Sequence, residues 1–95
     1  MAAEPQPQPL CEFVARQDPR RSTLRWHVLN RRNFLKKELL GLVVWSPPWQ
    51  RYVFAPESGA LLSSAHLVEI ARFCAAQSRV QREVASRQAG GVRRG

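Results

Sequence analysis

The stretch from Leu40 to Pro56, LGLVVWSPPWQRYVFAP, decides the fold. Its first part, Leu40 to Trp45, is apolar and rich in β-branched side chains and too short for an ordinary helix, so it reads as a central strand. Ser46-Pro47-Pro48 must turn, because neither proline can donate a hydrogen bond to a sheet ladder. Trp49 to Ala55 is then the next strand. Tyr52 and Phe54 are two apart on it and share a face, and Trp45 can lie opposite them across the turn. Pro56-Glu57-Ser58-Gly59 ends it.

Upstream, Thr23 to Asn30 alternates Leu24, Trp26 and Val28 with Arg25, His27 and Leu29, the period of a half-buried strand. Asn30 to Asn33 is a turn. Phe34 to Leu40 fits one helical turn as well as an extended segment. Leu10 to Arg16 fits a short helical turn, with Leu10, Phe13 and Val14 on one face, broken by Asp18-Pro19. Before it, three prolines alternate with Gln up to Pro9, a flexible arm.

Downstream, Ser63 or Ser64 is an N-cap, and a helix follows from about Ala65 to at least Gln77. Leu67, Ile70, Ala71 and Cys74 form its stripe toward the sheet. Beyond Gln77, Val80 and Val84 stand among charges, with Glu83 flanked by Arg79 and Arg87. The helix is expected to stop by Gly90-Gly91. The expectation is one α+β domain over 10–77, with a three-stranded antiparallel sheet, one C-terminal helix on one face (β-β-β-α) and a short N-terminal helical turn. Residues 1–9 are a disordered arm, and 78–95 a basic helical extension with a loose tail.

Trp45, Pro48, Trp49, Tyr52, Phe54 and Pro56, with Glu57 in the turn after them and Ile70 and Phe73 in the helix, carry a resemblance. The pattern resembles small proteins of bacteriophages and other bacterial mobile elements, whose core reads W-Y-x-P-W-R-x-Y-x-F-x-P before a helix with an I-x-x-F step. The likeness covers roughly 25–76. Ser46 replaces the family's Tyr, and Gln50 its Arg, with Arg51 one place later; that step moves the side chain to the other face of a strand. The resemblance implies a β-β-β-α fold and a phage-type setting, and no reaction.

The residues point away from catalysis. His27, His66, Cys11 and Cys74 show no local metal-ligand spacing. Cys74 lies on the expected core stripe, where a thiol behaves as a small hydrophobe. The carboxylates are scattered, and no Gly-rich phosphate loop exists. We therefore expect a non-enzyme with no cofactor and no metal. Two cysteines fit free thiols in a reducing compartment, here the cytoplasm of a bacterial host, and no apolar run approaches a membrane span.

The charge is more informative. Lys plus Arg number 15 against 7 acids, a formal net charge of +8 over 95 residues. Residues 1–50 hold eight bases and four acids, 51–77 two of each, and 78–95 five bases and one acid, so +4, 0 and +4. Arg dominates, with a planar fork suited to phosphates and a face that stacks on bases. Such zones give sequence-independent nucleic-acid affinity, and they also serve simply as a solvated surface. The expected partner is nucleic acid or a nucleoprotein complex. Arg31, Arg32, Lys36, Lys37 and Arg51 are the candidate phosphate contacts, and Trp49 the candidate stacking residue. The rival expectation is a protein-interaction module or inhibitor, anchored by the aromatic turn 45–49, that docks on a host protein or a defence complex such as a CRISPR effector. A helical dimer through Phe73, Val80 and Val84 is a third, with too sparse an apolar pattern for a strong coiled coil.

Overall fold

The computed structural model describes residues 9–17, 19–20, 23–31 and 37–94, with side chains described to 87. These residues form four strands, β1 (Cys11–Gln17), β2 (Leu24–Asn30), β3 (Glu38–Ser46) and β4 (Arg51–Pro56), and one helix, α1 (Ser64–Arg94). The strands lie in sheet order β1-β2-β3-β4, every neighbouring pair antiparallel. The fold is thus α+β with one sheet and one C-terminal helix, and the sheet has one strand more than the sequence led us to expect.

The added strand is β1, which the sequence reading took for a helical turn. Phe13 and Val14 suit either period. The tertiary structure selects the extended one: Phe13 turns inward and stacks on Phe73 of α1, ring centroids 3.9 Å apart and nearly parallel. Cys11 beside it is buried, while Glu12, Val14 and Arg16 fall on the opposite face. β3 also begins earlier than expected, at Glu38, so the ambiguous segment before Leu40 ends extended. Residues 32–36 lie outside the described residues.

One face of the sheet carries the core. Cys11, Trp26, Val28, Leu40, Val43 and Tyr52 are buried there with Ile70 of α1, and Phe54, Phe73 and Cys74 pack around them. Trp26 meets Tyr52 and Phe73 edge-on, and Trp45 meets Tyr52 edge-on. The aromatic rings thus pack edge-on in the core, each with a large apolar area to bury. Leu40 and Val43 can both face the core because the register slips between Val28 and Leu29, placing a bulge at Leu40-Gly41. A Cβ on Gly41 would sit 2.4 Å from the Ala55 carbonyl oxygen and 2.7 Å from the Phe54 ring, so this position takes only glycine.

The helix stripe differs from expectation in part. Ile70 and Cys74 face the sheet as expected, joined by Phe73 and Ser78, whereas Leu67 is 49% exposed and Ala71 is exposed. Ser63 is the N-cap: its Oγ accepts from the His66 backbone N–H at 3.2 Å, and His66 Nδ1 accepts from the Ser63 N–H at 3.2 Å. This is a capping box with histidine in the usual Glu position. The helix runs 31 residues, about 46 Å at ~1.5 Å per residue, through Gly90-Gly91 to Arg94. No described helix is long and apolar enough to cross a membrane.

Two polar side chains fix α1 diagonally across the sheet. Glu69 accepts from the backbone N–H of Leu10 at 2.8 Å and of Cys11 at 3.0 Å, closing the outer edge of β1. Nine residues later Ser78 Oγ accepts from the Tyr52 N–H at 2.8 Å on the outer edge of β4, and donates to the Cys74 carbonyl at 2.6 Å. The sheet's exposed edges are thereby partly satisfied by the helix that covers its face.

Candidate nucleic-acid interface

Antiparallel pairing sorts the chain into two ends. At one end β1 and β3 begin and β2 and β4 finish. Arg31 and Lys37 lie here, together with Glu12, Glu38 and Glu57. Lys37 Nζ donates to Glu12 Oε1 at 2.6 Å, and this bond holds the Glu12 carboxyl below its ordinary pKa. Glu69 arrives from α1 at the same end. Its charge adds to burial in pushing the Cys11 thiol up to about 11.

At the other end β1 and β3 finish and β2 and β4 begin. Arg16 and Arg25 are directly opposed across β1 and β2, and Arg51 starts β4. Arg20 lies in the β1–β2 connection. Because Ser78 joins Tyr52 here, α1 reaches this end with Arg79 and Arg82 in its next turn. No carboxylate lies in the strands at this end among the described residues; Asp18 falls outside them.

The same end presents Trp49. Pro47 to Gln50 form the β3–β4 turn, closed by the Gln50 N–H on the Ser46 carbonyl at 2.8 Å. Gln50 adopts φ 53, the left-handed conformation that side chains disfavour, and its Nε2 holds the Pro47 carbonyl at 2.7 Å. The resulting turn leaves Trp49 68% exposed, whereas Trp26 is 8% exposed in the core.

The six residues expected from sequence therefore do not form one patch. Arg51 and Trp49 lie at one end, and Arg31 and Lys37 at the other, where Lys37 is engaged by Glu12. Arg32 and Lys36 lie outside the described residues. Sequence reasoning passed over Arg16, Arg25 and Arg82 as site residues. The signal for Arg25 was present in the alternation of β2, but Arg16 needed β1 to be recognised as a strand before the pair could be drawn.

Between the outer edge of β4 and α1 lies an open cleft of about 280 Å³, lined by Arg51, Tyr52, Ala71, Ala75, Ser78 and Arg82. Arg82 Nε donates to the Ser78 carbonyl at 3.2 Å, which fixes its guanidinium beside the cleft. Burial pushes the Tyr52 hydroxyl up from its ordinary pKa. Cys11 and Cys74 are free thiols. Among the described residues no three His, Cys, Asp or Glu side chains gather as a metal site would.

No family model, no curated protein and no solved structure matches the chain.

Proposed function

We propose that this chain is a small non-enzymatic accessory protein of phage type that binds nucleic acid through the arginine-rich end of its sheet. The observation that carries this reading is the clustering of guanidinium-bearing residues: Arg16 and Arg25 are opposed across β1 and β2, and Arg51 and Arg82 line one cleft at the same end. Guanidinium forks there match phosphate oxygens, and the exposed Trp49 offers a flat face for a base beside them. The helix-side aromatics are spent on the core, so Trp49 carries the stacking role alone. Binding to fluorescent single- and double-stranded oligonucleotides at ~50 and ~200 mM salt tests this. Several phosphate contacts predict a loss of roughly tenfold or more over that range. Affinity that does not change with salt removes the electrostatic mechanism.

The exposure of Trp49 also favours a second reading, a module or inhibitor that docks on a host protein or defence complex through the 45–49 turn. A stoichiometric protein partner that survives nuclease treatment, lost on Trp49→Ala, distinguishes it.

A further inference from the structure

We propose that the cleft between β4 and α1 is a dedicated phosphate site, in which Arg51 and Arg82 grip one phosphate of the nucleic-acid backbone from opposite walls. The inference rests on the nucleic-acid reading and names where a single phosphate is held. Arg51 and Arg82 come from different elements, the first residue of β4 and the helix turn after Ser78, and line one cleft. Neither has an acidic partner among the described residues. Arg82 spends its Nε on the Ser78 carbonyl and keeps its terminal amines for a ligand. A guanidinium anchored in this way loses less freedom on binding, which favours affinity.

The rest of the cleft fits a small anion. Its lining includes the small side chains of Ala71 and Ala75, with the buried Tyr52 and Ser78. Cys74 also borders it, and burial pushes its thiol up, so it adds no negative charge. The volume of about 280 Å³ lies near the lower limit of ligand sites, suiting a phosphate and its sugar rather than a large apolar molecule. An extended peptide adding to β4 is a poorer occupant. Along that edge the Tyr52 N–H is already taken by Ser78, and Pro56 has no N–H to give. Ser78 organises both walls at once: its hydroxyl holds β4 and its carbonyl holds Arg82.

The test combines oligonucleotide binding across a salt series with amide and arginine Nε NMR spectra. The variants are Arg51→Ala, Arg82→Ala and, as a control on the exposed helix surface outside the cleft, Arg72→Ala. Each cleft variant is expected to weaken binding and to lower the slope of log affinity against log salt by up to about one, because both arginines act on the same phosphate. Arg72→Ala is expected to match the unaltered chain. Inorganic phosphate alone should shift the Tyr52 and Ser78 amides and the Arg82 Nε signal, separating a free anion from a nucleic-acid backbone as the source. Phosphate shifts without oligonucleotide binding would keep the cleft as an anion site and remove the nucleic-acid reading. Oligonucleotide binding with unchanged slopes in both cleft variants would overturn the cleft and leave the reading standing. No shift with phosphate and no binding by the unaltered chain would remove both.

Discussion

The two ends of the sheet both carry basic side chains and differ in what faces them. At the end where β1 begins, Glu12, Glu38, Glu57 and Glu69 accompany Arg31 and Lys37, and Lys37, just before β3, pairs with Glu12 of β1. At the end where β4 begins, Arg16 and Arg25 oppose each other across β1 and β2, and Arg51 and Arg82 line one cleft. A formal net charge of +8 is a property of the whole chain. A binding surface depends on where bases gather, and antiparallel topology places Glu12 and Glu38 with Arg31 and Lys37 at one end and gathers Arg16, Arg25 and Arg51 at the other.

Charge reversal should affect the two ends most unequally. Replacing Arg16, Arg25 and Arg51 together with Glu should reduce oligonucleotide affinity by on the order of a hundredfold or more at low salt, since it removes contacts and adds repulsion. Reversing Arg31 and Lys37 should have a much smaller effect. Fluorescence anisotropy of both variants checks this, and equal losses would erase the distinction between the ends.

The next effect concerns how the arginine end is held together. Ser78→Ala leaves the Tyr52 N–H without its partner at a buried site, and should cost about 1–3 kcal/mol in chemical denaturation. Hydrogen exchange at Tyr52 should speed up selectively, while protection at Leu10 and Cys11, held by Glu69 at the other end, should persist. Loss of protection at both sites together would mean that the two anchors are not independent.

A smaller effect separates the ends by pH. The Cys11 thiol titrates at about 11 in the fold, above its ordinary value near 9.0, because it is buried beside Glu69. The folded state then holds this proton more tightly than the unfolded chain. Its contribution to stability is complete below pH 9 and is lost as pH rises from 9 toward 11. Cys11→Ala should remove that part of the alkaline decline in melting temperature, and alkylation of Cys11 in the native protein should be slow at pH 8. The least effect is expected from Lys37→Ala. The Glu12 carboxyl should return upward toward its ordinary pKa, seen by NMR titration, with little change in melting temperature because an exposed pair contributes little.

Much of the fold was legible in Leu40 to Pro56, where the apolar run, the double proline and the spacing of Tyr52 and Phe54 place β3, the turn and β4. β1 was not legible. Phe13 is committed to a strand only by its stack on Phe73, sixty residues away in the chain. The helix was legible in kind but rotated in detail: Leu67 and Ala71 suit a core stripe by composition, yet the hydrogen bonds of Glu69 and Ser78 to the sheet edges set the face that turns inward. The candidate site was visible only in fragments. Arg51 and Trp49 were found at the turn, but the Arg16–Arg25 pair depended on β1, and Arg82 depended on how far α1 reaches along the β4 edge.

The most direct test of the central claim is an amide shift map of the isotopically labelled chain on adding a short single-stranded oligonucleotide. Binding at the arginine end should concentrate the shifts at Arg16, Arg25, Trp49 with its indole N–H, Arg51 and Tyr52, and along α1 near Arg82, with Arg31 and Lys37 nearly unmoved. Shifts centred on Arg31 and Lys37, or no shift at low salt, would contradict it.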